Sequence, residues 1–90
     1  MEESRLLRFY GSVQGVGFRW TARGLADTHG VTGYVCNLPD GSLELLAEGE
    51  AGILDAFLAE LQAEMGSYIA RQTCSTYQPT KAYDSFSITH

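Results

Sequence analysis

Hydrophobic and polar positions alternate along residues 5–13. Leu7 and Phe9 fall on one side, Arg8 and Tyr10 on the other, the two-residue period of a half-buried strand. A glycine-rich stretch from Gly11 to Gly17 follows. Over Phe18 to His29 the period becomes helical, with Trp20 and Ala22, then Leu25, Ala26 and His29. Gly24 inside this segment costs ~1 kcal/mol relative to Ala, and Gly30 supplies a stop. Residues 31–37 (VTGYVCN) are β-branched and aromatic, which predicts a strand. Leu38-Pro39-Asp40-Gly41 reads as a hairpin turn, since Pro presets φ and Gly takes positive φ. The return strand spans 42–49, with Leu43, Leu45 and Ala47 alternating against Glu44, Leu46 and Glu48. Residues 51–65 carry the clearest helix: Leu54, Phe57, Leu58, Leu61 and Met65 form one stripe, and Asp55, Glu60, Gln62 and Glu64 face water. Gly66 and Ser67 end it. Residues 69–77 are strand-like, 78–83 form a loop with Pro79, and Phe86-Ser87-Ile88 is a short last strand.

The order is β-α-β-β-α-β with a small strand appended. It predicts an α+β, ferredoxin-like sandwich: an antiparallel sheet with two helices on one face and a short extra C-terminal strand. Ninety residues suit one domain, residues 1–90. This architecture serves many functions and settles none. With strands in the order 4-1-3-2, Cys36 and Cys74 lie three strand spacings apart, ~14 Å. A disulfide needs Cα atoms within ~7 Å, so two free thiols are expected.

Composition narrows the classes. The apolar content of 44% suits a globular chain, and no apolar run approaches the ~20 residues that span a bilayer. The opening MEESRLLRFY lacks a signal-peptide pattern, which points to the cytoplasm. Two cysteines 38 positions apart fit neither a disulfide scaffold nor a zinc site. A net charge of −5 argues against nucleic acid as a partner. Arg5, Arg8, Arg19 and Arg23 nevertheless crowd the first quarter, leaving only Arg71 and Lys81 beyond it. One local anion site accounts for that clustering, and so does chance.

The segment Gly11-Ser12-Val13-Gln14-Gly15-Val16-Gly17-Phe18-Arg19 joins a strand to a helix. Glycines there allow successive N–H groups to converge on an anion at the positive end of a helix. Arg19, at the helix start, offers a planar fork of donors to phosphate oxygens. The spacing is neither a Walker A loop nor a dinucleotide-binding loop. A plain glycine-rich turn explains it equally well. Asn37 ends a strand beside the hairpin, where its amide could hold a water through donor and acceptor; it also reads as an ordinary turn-flanking Asn.

The run Gly11-Ser12-Val13-Gln14-Gly15-Val16-Gly17-Phe18-Arg19 closely resembles the acylphosphatase signature. Gly33-Tyr34-Val35-Cys36-Asn37, Asp40-Gly41 and Gly49 follow at that family's spacing, and Tyr83-Asp84-Ser85-Phe86-Ser87-Ile88 is similar to its last strand. The likeness weakens over residues 66–78. It implies hydrolysis of a carboxyl–phosphate anhydride to carboxylate and inorganic phosphate. The family's catalytic arginine falls on Arg19 and its catalytic asparagine on Asn37. Its phosphate loop falls on Gln14, Gly15, Val16, Gly17, Phe18 and Arg19.

The motif holds no His, Asp or Glu, so no general base is evident, and orientation and electrostatics are expected to carry the catalysis. No cofactor and no metal are expected. The expected partners are a small acyl phosphate and inorganic phosphate, with neither nucleic acid nor membrane, and the expected working unit is a monomer. Thr89-His90 replaces the Arg-Tyr ending common in the family, whose terminal carboxylate approaches the catalytic arginine. Asp40 is explained by its turn, His29 by a partly buried helix end, and Trp20, Phe57 and Tyr34 by packing; Arg23, one helical turn beyond Arg19, either extends the anion field or is a solvated surface arginine, the simpler reading. Two other readings are an N-terminal domain of a hydrogenase-maturation carbamoyltransferase and an RNA-recognition domain. The latter stacks bases on strand aromatics, and residues 43–48 offer none.

Overall fold

A computed structural model describes residues 2–78 and 83–89. The elements are β1 (Glu2–Gly11), α1 (Phe18–His29), β2 (Thr32–Asn37), β3 (Leu43–Glu50), α2 (Ala51–Met65), a 3₁₀ turn (Gly66–Tyr68), β4 (Ile69–Tyr77) and β5 (Phe86–Thr89). They form one five-stranded sheet in the order β4-β1-β3-β2-β5. The first four strands pair antiparallel, as the alternation and the hairpin require. The small last strand joins β2 in parallel and makes the sheet mixed.

The alternating residues divide as their period dictates. Leu7 and Phe9 of β1, Val35 of β2 and Leu43, Leu45 and Ala47 of β3 are buried beneath the helices. Helix α1 lies over β2 and β5, and α2 lies over β3. Phe18, Ala22 and Ala26 form the buried line of α1; Leu54, Phe57, Leu61 and Met65 form that of α2. Full burial of a side chain such as Phe57 or Leu54 contributes roughly 1.5–3 kcal/mol. Small side chains at Ala22 and Ala26 let α1 approach closely. His29, the last residue of α1, directs Nε2 to Glu60 Oε1 of α2 at 3.0 Å and turns its ring edge to Phe57, fitting the partly buried helix end expected for it.

Two expectations shift. Strand β1 covers Glu2–Gly11 rather than 5–13, because its pairing with β3 begins at Glu2↔Glu50 and stops short of Val13. Trp20 is 70% exposed and is not a packing residue. The buried line Phe18–Ala22–Ala26 repeats every four residues and leaves Trp20 on another face of α1.

Strand β4 forms one edge. Its helix-side residues Gln72, Cys74 and Thr76 are exposed, since neither helix reaches over them. Cys36 and Cys74 stand three strand spacings apart and are both free thiols. On the face away from the helices, Tyr34 Oη donates to Glu44 Oε2 at 2.8 Å and packs against the Tyr83 ring. Burial and that carboxylate push the Tyr34 phenol well above its ordinary range. The expected loop of 78–83 includes Pro79, which lies outside the described residues, as does His90. Among the described residues, no helix is long and apolar enough to cross a membrane.

Gly24 is a point of avoidable weakness in α1. A Cβ built there meets nothing within 4 Å. Gly24→Ala should therefore raise stability by ~0.5–1 kcal/mol through the helix-propensity difference, read as a higher midpoint in chemical denaturation. An unchanged or lower midpoint would contradict this account of the helix.

Candidate active site

The glycine-rich stretch connects the end of β1 to the start of α1. Gly15 and Gly17 take φ of 76° and 81°, the left-handed region that other residues enter at a cost. Gly17 is the N-cap of α1 and brings no capping side chain, and the first turn holds no acidic residue. The helix therefore begins with backbone N–H groups unclaimed by side chains, at the positive end of its dipole. Thr21 N–H, donating to Gly17 O at 2.9 Å, is the first to be satisfied within the helix.

A cavity of about 470 Å³ opens at this helix start. Gly15, Gly17, Phe18 and Arg19 line it from the loop and helix, and Trp20 and Arg23 from further along α1. Asn37 enters from the end of β2, and Val13 and Ile88 supply apolar wall. None of these lining residues is acidic or a histidine. Arg19 and Arg23 lie one turn apart on α1, with Cβ atoms ~5–6 Å apart by helix geometry.

The crowd of N-terminal arginines thus resolves into two groups. Arg5 bonds Glu3 and reaches Asp55 of α2 at 2.7 Å, tying β1 to the second helix. Arg8 reaches Glu44 at 3.2 Å on the open face. Arg19 and Arg23 have no ion pair among the described residues. Asn37 Oδ1 is buried and has no hydrogen-bond partner among the described residues. A buried amide oxygen costs free energy unless a donor reaches it.

The sequence-derived loop residues separate in the structure. Gly15, Gly17, Phe18 and Arg19 line the cavity; the Gln14 and Val16 side chains do not. Val16 packs on the core. Gln14 turns toward the hairpin instead: Nε2 donates to Leu38 O and to Ser42 O, each at 3.0 Å. Those carbonyls also close the hairpin, with Gly41 N–H donating to Leu38 O at 3.1 Å and Leu38 N–H to Ser42 O at 2.8 Å. Asp40 completes the turn by accepting from the Ser42 hydroxyl and backbone N–H, and these bonds hold its carboxyl below the usual range. Asp40 thus has the turn role expected of it, and His29 lies away from the cavity. Sequence reasoning missed Trp20 as a lining side chain and offered Arg23 only as one of two alternatives. The four-residue repeat Phe18–Ala22–Ala26 was the available signal that both stand off the buried face.

An α+β sandwich with two helices on one face of its sheet, whose first helix opens on a cavity with no acidic residue among the described lining, is a domain of the ferredoxin-like class. Comparison with known proteins makes this particular. The acylphosphatase family model matches residues 6–88. The acylphosphatase of Latilactobacillus sakei is 46% identical over 63 residues, covering 70% of this chain and 68% of that protein. The crystal structure of the Bacillus subtilis acylphosphatase superposes with a TM-score of 0.85 at 28% identity, covering all of both chains (100% and 100%). A full-length HypF structure, in phosphate- and nucleotide-bound form, superposes at 0.86 with 26% identity, and there this chain matches 12% of the longer one. The chain belongs to the acylphosphatase family.

Removal of the Gln14 tie tests how the site is held. Gln14→Leu should cost ~1–2 kcal/mol, because each carbonyl keeps one other partner, and denaturation measures it. Asp40 tests the turn. Its depressed pKa contributes stability above the unfolded value of ~3.9, which is lost as pH falls through the lower folded value. Asp40→Asn should therefore destabilise the protein at neutral pH, and the difference from the wild type should shrink in acid. A constant difference across that range would contradict the Ser42 bonds as its cause.

Proposed function

We propose that the chain hydrolyses acyl phosphates, with phosphate held by Arg19 and the loop from Gln14 to Arg19, and water positioned by Asn37. The observation that carries this reading is the unclaimed N-terminus of α1, facing one cavity that Arg19 and Asn37 share. Convergent N–H groups and a guanidinium fork suit the three oxygens of a phosphoryl group. Family membership supplies the reaction class.

In the proposed step, a water oxygen forms a bond to phosphorus opposite the bridging oxygen. The phosphorus–oxygen bond to the acyl group breaks, and the carboxylate leaves with the electron pair. One water proton passes to a non-bridging phosphoryl oxygen, giving carboxylate and dihydrogen phosphate. The Asn37 amide offers Oδ1 as acceptor and Nδ2 as donor, which can orient that water. Arg19 and the amides of the loop bear the phosphoryl charge throughout the step. The anhydride is an activated bond, so orientation and charge stabilisation suffice without a side chain that takes the proton. The working unit in this reading is a monomer, with residues 1–90 acting as one domain. Two free thiols are in keeping with a reducing compartment and with the cytoplasm.

The two roles separate by mutation. Arg19→Lys keeps charge and loses the fork, so phosphate inhibition and kcat should both weaken. Asn37→Ala should leave inhibition by inorganic phosphate near the wild-type level and lower kcat by ~10²-fold or more. Turnover of benzoyl phosphate should be flat across neutral pH apart from substrate ionisation. An Asn37→Ala enzyme with wild-type kcat, or one that loses phosphate inhibition as fully as the Arg19 variant, would overturn the water-positioning role.

A further inference from the structure

The cavity is larger than a phosphate needs. At about 470 Å³ it falls within the ~300–1,000 Å³ of pockets that hold whole small-molecule ligands. Beyond the loop and Arg19, its remaining wall on α1 consists of Trp20 and Arg23. Trp20 is 70% exposed, a large indole left in water at the mouth of the site. The Arg23 guanidinium lies 5.2 Å from the centre of that ring. Such stacking fixes the plane of the guanidinium and leaves its N–H edges free to donate. Asp27 follows one turn later on α1, yet it makes no ion pair with Arg23, and no other described residue does so either. An oriented cation with no ion pair among the described residues thus shares the cavity with Arg19, one helical turn along.

We infer that Trp20 and Arg23 form a subsite for the acyl group, selecting acyl phosphates that carry a second carboxylate at the far end of a flat apolar spine. The inference rests on the acyl-phosphate reading of the same cavity. Arg19 and the helix start take the phosphoryl group. The apolar spine covers the indole and removes its surface from water. The distal carboxylate accepts paired hydrogen bonds from Arg23. Neither side chain touches the reacting atoms; both set which acyl group is accepted.

The test compares benzoyl phosphate with 4-carboxybenzoyl phosphate, whose rigid carboxylate cannot reach back to its own anhydride. Wild-type kcat/KM should favour the carboxylated substrate by about tenfold, the scale of one charge-assisted bond. Arg23→Gln should lose activity on the carboxylated substrate about tenfold more than on benzoyl phosphate, and Trp20→Ala should weaken KM for both. Calorimetry with 4-(phosphonomethyl)benzoate and benzylphosphonate reads the same preference without turnover. Hydrolysis without any carboxylate preference, or an equal loss on both substrates in Arg23→Gln, overturns the subsite and leaves the hydrolase reading standing. A carboxylate preference in binding, abolished by Arg23→Gln, without hydrolysis of either substrate upholds the subsite and overturns the hydrolase reading.

Discussion

Two hydrogen bonds from one side-chain amide hold the two halves of the site together. The Gln14 Nε2 group bonds Leu38 O and Ser42 O, so the glycine-rich loop before α1 is fastened to the hairpin after β2. Arg19 belongs to the first half and Asn37 to the second, and they are distant in sequence. The tie adds a direct bond between two turns that are otherwise linked through the pairing of β1 and β2 with β3. The fold makes the tie possible: β1 and β2 flank β3, and both the end of β1 and the end of β2 emerge at the same end of the sheet. The positive φ values at Gly15 and Gly17 let the loop bend back far enough for Gln14 to reach the hairpin and for α1 to begin at the cavity.

Electrostatics reinforces this arrangement. The protein is acidic overall, at −5, yet among the described residues no carboxylate lines the cavity. Acidic groups near the N-terminal arginines are drawn elsewhere: Glu3 and Asp55 to Arg5, and Glu44 to Arg8 and Tyr34. Among the described residues, Arg19 and Arg23 form no ion pair beside the positive end of α1. In the proposed reading an anion meets the donors at the start of α1, and the acidic remainder of the surface discourages long polyanions. The buried Asn37 Oδ1 adds an acceptor in an otherwise donor-rich cavity. A water molecule, which can donate to Asn37 and present a lone pair to an electrophile, suits that combination.

Much of this was legible in the chain. The period-two runs around Leu7–Phe9 and Leu43–Ala47 fixed which strand faces pack, and the stripe from Leu54 to Met65 gave α2 its range. Local turn chemistry announced the hairpin. The parallel seat of β5 was not legible, because four residues carry too little pattern to specify a partner strand. Trp20 was misjudged because a large aromatic in a helix is usually buried, whereas its neighbours Phe18, Ala22 and Ala26 set the buried line. Gln14 belongs to the loop by family resemblance, which says nothing of where its side chain turns. Its side-chain direction depends on a long-range pairing with Leu38 and Ser42 that no local spacing encodes.

The central claim is that the bare start of α1, with its loop, is where phosphate binds. The most direct measurement is a titration of the isotopically labelled protein with inorganic phosphate, followed by the chemical shifts of its backbone and side-chain amides. The largest changes should fall on the amides of residues 15–19, with smaller ones at the Asn37 side chain and little change in β4 or the C-terminal half of α2. Saturable shifts centred away from residues 15–19, or no shifts at phosphate concentrations that inhibit turnover, would contradict it.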